Sequence, residues 1–161
     1  MNQEEINARV ELRALIDEYA FHADSRNYDK WAQTFTPDGT ISCFNPGEDT
    51  PFVGATGHAD IAAMLHGNDP YARTFHLMAN HHITIDGDTG SGYTYGQAHH
   101  VLADDPDTEA YVWQIRYADE YAKTDAGWKF SSREIRIQFI QYVDTDVSAY
   151  PFRSGTSTIA S

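Results

Sequence analysis

The apolar periodicity of this chain changes once, near Arg73, and that change limits the fold more than any other feature. Residues 4–25 place Ile6, Val10, Leu12, Leu15, Ile16, Tyr19, Ala20 and Ala23 at helical spacing, with acidic and basic residues between them. The spacing predicts a long first helix. A second is expected at 28–35, capped by Asn27 and stopped by Thr36, Pro37, Asp38 and Gly39, and a third at 58–66 after a short strand at 40–44 and a loop at 45–57. From Arg73 onward the period is two. Strand signals run over 74–85, 91–102, 109–123 and 128–142, with turns at Asp86 to Thr89 and at Thr124 to Gly127. Helices first and an antiparallel meander afterwards predict an α+β fold.

Within the meander, Tyr111, Trp113, Ile115, Tyr117 and Tyr121 share one strand parity, and Gly92, Thr94, Gly96, Ala98 and His100 share one parity of the preceding strand. If both sets lie on one side of the sheet, small residues beside large ones leave room for a pocket. The alternative is that the aromatics fill a core.

The composition narrows the function. A chain of 161 residues with 41% hydrophobic and 13% aromatic content suits one domain over 1–161, its last residues, 151–161, loose or held in a subunit contact. A net charge of −13 with no basic cluster makes nucleic acid an unfavourable partner. No apolar run approaches the roughly 20 residues of a membrane span, and the start, MNQEEINARVE, is acidic where a signal peptide is basic and then apolar. The single Cys43 offers neither a disulfide nor a multi-cysteine metal site, which fits a cytoplasmic setting.

Asp24 lies one and two turns beyond Ala20 and Ile16, at the edge of the apolar stripe, where a carboxylate either caps the next turn or serves a purpose. Of eight histidines, the adjacent pairs His81, His82 and His99, His100 point to opposite strand faces, so no metal site is expected. A plain hairpin would set His76 opposite His99; a one-residue bulge would set it opposite His100. There is no GxSxG, GxGxxG or GxxxxGK[ST], hence no sign of an activated serine or of a nucleotide cofactor.

Three segments, LRALIDEYAFHADSRNYDKWAQTFTPDGTI, FHLMANHHITIDGDTG and IRYADEYAKTDAGWKFSSREIRI, resemble the SnoaL-like branch of the nuclear transport factor 2-like superfamily, near the scytalone dehydratase type, over most of 5–140. The resemblance implies a cone-shaped α+β barrel, N-terminal helices on a curved antiparallel sheet, and an internal pocket holding an Asp–His dyad. It assigns Asp24 and His76 to the dyad, Asn80 to the asparagine that often follows, His100 to the second histidine of scytalone dehydratase, and Tyr19 to a pocket tyrosine. Ala23 and Cys43 stand where that enzyme has water-binding tyrosines, and Ile115 and Tyr117 where it has a serine and an asparagine, so a greasier substrate is implied. The expected function is a cofactor-independent, dehydratase-like lyase acting on a small hydrophobic cyclic molecule, with Tyr19, His100, Trp113, Tyr117 and Asn80 binding it. Polyketide cyclisation, isomerisation and a non-catalytic accessory role are the alternatives. Self-association through Val112, Gln114, Arg116 and residues 142–152 is expected, as a trimer before a dimer.

Overall fold

A computed structural model describes residues 1–103 and 108–147; the expected tail at 151–161 lies outside them. Helix α1, Gln3–Asp24, is capped by Asn2, whose side chain accepts from the Glu5 N–H. It buries Ala8, Leu12, Leu15, Ile16, Tyr19, Ala20 and Ala23, while Ile6 and Val10, expected on the stripe, are exposed. The buried stripe is therefore narrower than the apolar one. After it come α2, Tyr28–Ala32, then β1, Phe35–Phe44, β2, Val53–Thr56, and α3, Gly57–Leu65, followed by a 3-10 turn, His66–Asn68. Four long strands complete the fold: β3, Arg73–Asp86, β4, Thr89–Val101, β5, Thr108–Thr124, and β6, Gly127–Thr145.

Three expectations need correction. Asn27 makes no side-chain cap for α2; its N–H instead donates to the His22 carbonyl and closes the end of α1. Thr36 to Gly39 lie within β1 as a wide bulge, because Phe35 pairs with Phe130 and Thr40 with Ser132. The loop at 45–57 contains β2, an edge strand with no apolar alternation to reveal it.

The six strands form one open, curved sheet in the order β2, β1, β6, β5, β4, β3, antiparallel except where β1 meets β6. Helix α1 lies on its concave face across β3 and β6, and α3 packs against β1 and α2. The chain is thus a cone of helices on a curved sheet.

Register decides what the concave face holds. Gly96 pairs with Ile115, Thr94 with Tyr117 and Ala98 with Trp113, so the small and the aromatic residues do share one side. Their effects differ along the strand. A Cβ on Gly96 would stand 3.0 Å from the Tyr117 ring and 2.9 Å from the Leu77 carbonyl, so this glycine seats Tyr117 and leaves no space. Tyr117 and Tyr121 accordingly fill the core, and only the Ala98, His100 and Trp113 end faces a cavity.

Beneath that cavity lies a fully buried ion pair. Asp119 and Arg133, directly opposite on β5 and β6, meet through Nε to Oδ1 at 2.7 Å and Nη2 to Oδ2 at 2.9 Å. Thr94 and Tyr121 hydroxyls also donate to Asp119, and the guanidinium lies 4.1 to 4.3 Å from the ring centres of Phe130, Tyr19 and Tyr117. Removing one partner strands the other charge in the core. Asp119→Asn or Arg133→Met should therefore lower unfolding free energy by about 3–5 kcal/mol, read from urea midpoints, whereas the exposed pair broken by Asp17→Asn should cost under about 1 kcal/mol.

Candidate active site

The end of α1 and the start of β3 bring together two residues 52 positions apart. Asp24 Oδ1 accepts from Nδ1 of His76 at 2.7 Å, and Oδ2 accepts from the His76 backbone N–H at 2.8 Å. Both carboxylate oxygens are committed to one residue. Partial burial pushes the Asp24 carboxyl up, but the His76 ring, the His76 N–H and the Thr74 hydroxyl outweigh it and hold the group below the usual carboxylate range. A charged Asp24 keeps the proton of neutral His76 on Nδ1, which leaves Nε2 as the basic atom.

His76 lines a cavity of about 300 Å³ closed by α1, α3 and the sheet. Tyr19, His100 and Trp113 line it as well, with Ala23, Trp31, Cys43, Met64 and Ile135 making the remaining wall mostly apolar. Burial pushes the Cys43 thiol up to about 12, so it is a packing group and no nucleophile. Burial also keeps the Tyr19 hydroxyl protonated.

His100 faces inward and His99 packs against Phe75 on the other side of the sheet. A bulge is present, as the inward His100 requires, but the register differs from the expected one. His81 pairs with Thr94 but Met78 with Gly96, so the extra residue is on β3, and His76 stands opposite Ala98, not His100. The two rings on that face are neighbours along the diagonal, their centres 6.3 Å apart. Nδ1 of His100 lies 3.1 Å from the Tyr111 carbonyl, which can only accept, so this nitrogen carries the hydrogen and Nε2 bears a lone pair. Burial lowers its pKa to about 4.

Two expected binding residues lie elsewhere. Tyr117 is buried under Tyr19, its ring 6.2 Å away, and does not line the cavity. Asn80 is exposed on the β3 bulge. The Asp119 and Arg133 pair has a signal in parity: Asp119 shares the buried face of Tyr117 and Tyr121, and Arg133 that of Ile135 and Ile137. Among the described residues, no group of three or more His, Cys, Asp or Glu side chains is placed to hold a metal ion, and no helix is long and apolar enough to cross a membrane.

A cone-shaped α+β domain with a cavity between its helices and sheet defines the structural class, and the sequence identifies the family. The SnoaL-like domain profile matches residues 4–134, and the chain belongs to that family. It is 29% identical over 136 residues to the uncharacterized protein Rv2910c of Mycobacterium tuberculosis, covering 80% of this chain and 84% of that one. A candidate scytalone dehydratase from Novosphingobium aromaticivorans superposes with a TM-score of 0.74 at 22% identity, over 92% of this chain and 95% of that one. A hexachlorocyclohexane dehydrochlorinase, LinA type 2, gives 0.75 at 17% identity, over 91% and 96%. These structures share the fold, here an open sheet with its cone capped by helices.

Because His100 is neutral when folded down to about pH 4 but takes a proton near pH 6.5 when unfolded, the unfolded chain binds more protons in that window. Stability should therefore fall as pH drops from about 6.5 to 4. The Asp24 contribution, from a lowered carboxyl, is lost only below about pH 4. Urea midpoints measured against pH should show this slope; burial pushes His81 down to about 4 as well, so His100→Gln should make the slope shallower without abolishing it, and an unchanged slope in the variant would assign the titration to other groups.

Proposed function

We propose that this protein is a cofactor-independent lyase of the dehydratase type, with elimination from a small, hydrophobic, cyclic hydroxy-carbonyl compound as its reaction. The observation that carries the reading is the two-oxygen grip of Asp24 on His76, which leaves a basic Nε2 on the wall of an apolar cavity. The candidate scytalone dehydratase and the dehydrochlorinase, whose names denote eliminations, support it through the shared fold.

In this mechanism Tyr19 donates to the substrate carbonyl and Nε2 of His76 removes the proton from the adjacent carbon. Asp24 stabilises the imidazolium so formed. The imidazolium then returns the proton to the departing hydroxyl: the C–H and C–O bonds break, C=C forms, and water leaves. One group acting twice makes the elimination syn. His100, a neutral acceptor, receives a hydroxyl hydrogen of the substrate, and Trp113 packs on the ring. Tyr117 and Asn80 take no direct part. An anionic substrate is disfavoured, since Asp24 is the charged group beside the cavity's basic end.

Cyclic β-hydroxy ketones offered to the protein should lose water, followed by the absorbance of the conjugated product and by solvent deuterium entering at the carbon next to the carbonyl. His76→Gln and Asp24→Asn should each cost about 10²- to 10⁴-fold in turnover while leaving the circular dichroism spectrum unchanged. Full activity in His76→Gln would overturn the reading.

We also propose a homo-oligomer, with a trimer favoured. Gln114, Arg116 and the exposed Phe75, Leu77, Tyr95 and Phe139 lie on the convex face; Val112, expected there as a contact, is already covered by Val147. Sedimentation should give a multiple of 18.1 kDa, and the monomer mass would refute it.

A further inference from the structure

We propose that Arg26 is a positioning residue that latches the mouth of the cavity and orients the dyad with the same guanidinium. Helix α1 ends in a paired closure, Arg26 N–H to the Ala23 carbonyl and Asn27 N–H to the His22 carbonyl, with Arg26 at φ 55. Glycine occupies that position without strain. Among the described residues Arg26 is the one non-glycine residue with left-handed φ, and a strained backbone that is kept implies a use for its side chain.

That side chain reaches three separate places. Nη2 donates to the carbonyls of Asn68, at 3.0 Å, and Tyr71, at 3.3 Å. Nη1 donates to Thr74 Oγ1 at 2.6 Å and, more weakly, to the Ala23 carbonyl at 3.4 Å. Asn68 and Tyr71 belong to the strap 66–72, which joins α3 to β3 outside the sheet. Gly67, Asn68 and Tyr71 line the cavity, and the Tyr71 ring centre lies 4.7 Å from that of His100.

Besides the Tyr71 ring contact, the strap's other side-chain hydrogen bonds are at the surface: Asp69 takes the Tyr28 hydroxyl at 2.6 Å and, within the strap, pairs with His66 at 2.7 Å. Exposed contacts of this kind hold weakly, so the part-buried guanidinium is the principal restraint. The third contact faces the chemistry. Nη1 bridges Thr74, two residues before His76 on β3, to the Ala23 carbonyl, the peptide next to Asp24 at the end of α1. One cation therefore couples how far the mouth opens to how the dyad is held. This latch stands on geometry alone and does not depend on the lyase reading.

The deciding variant is Arg26→Gly, which relieves the backbone while deleting the latch. Its melting temperature should hold or rise. Amide exchange of 66–72 should nonetheless accelerate roughly tenfold or more, with exchange in β5 and β6 unchanged. Acrylamide should quench the indoles of Trp31 and Trp113 more strongly, and the His76 Nδ1–H resonance should shift. Arg26→Lys, which keeps the charge but cannot span all three partners, should lie between. Unchanged exchange at 66–72, or a general rise in exchange together with a lower melting temperature, would overturn the proposal.

Discussion

The buried pair of Asp119 and Arg133 is the constraint from which the site is built. Two charges in a core are unfavourable unless their polar contacts are arranged; here the carboxylate takes two guanidinium hydrogen bonds and two hydroxyls, while Nη1 of Arg133 is left without a hydrogen-bond partner in a guanidinium packed against aromatic rings. The planar cation then serves as a shelf on which Tyr19 and Tyr117 rest. Tyr19 is part of α1, so the shelf sets how deep and at what rotation the helix docks. Asp24 follows Tyr19 by five residues and inherits that placement. A hydrophobic pair of the same volume could match the stability, yet it would hold the helix less uniquely.

A second constraint is the bulge on β3, and it marks where sequence reading stops. Alternation alone predicts the strands to within a few residues and puts His76, His100 and Trp113 on one face once a bulge is assumed. It cannot say which strand carries the extra residue, because β4 offers Gly92 and Gly96 as candidate bulge positions while β3 offers only Asn80. What stabilises the bulge is distant: Arg13 of α1 donates to the Met78 and Ala79 carbonyls, 65 and 66 positions away. That contact exists only after the helix has docked. Hence the inward orientation of His100 was legible while the partner of His76 was not.

The same division separates core from cavity. Small residues opposite aromatics were visible in the strand pattern, and the pattern is real on the concave face. Whether each small residue leaves space or is filled depends on ring direction, which alternation does not encode. Gly96 is filled by Tyr117, and Ala98 is not filled by Trp113, whose ring leans toward His100 at 4.9 Å. Parity alone therefore puts Tyr117 on the right face but at the wrong depth. The resemblance puts Asn80 at the site, whereas on the bulge it is exposed.

The cavity holds two imidazoles of opposite character, and their difference follows from what each Nδ1–H meets. His76 donates to a carboxylate, whose charge stabilises a proton arriving at Nε2. His100 donates to a neutral carbonyl inside an aromatic wall, where burial makes a second proton costly. The carboxylate thus favours a second proton on one ring, while burial keeps its neighbour a neutral acceptor down to about pH 4. A second carboxylate beside His100 would make two competing bases, and a carbonyl in place of Asp24 would leave none. The separation of roles arises from one carboxylate and one peptide carbonyl, not from the histidines themselves.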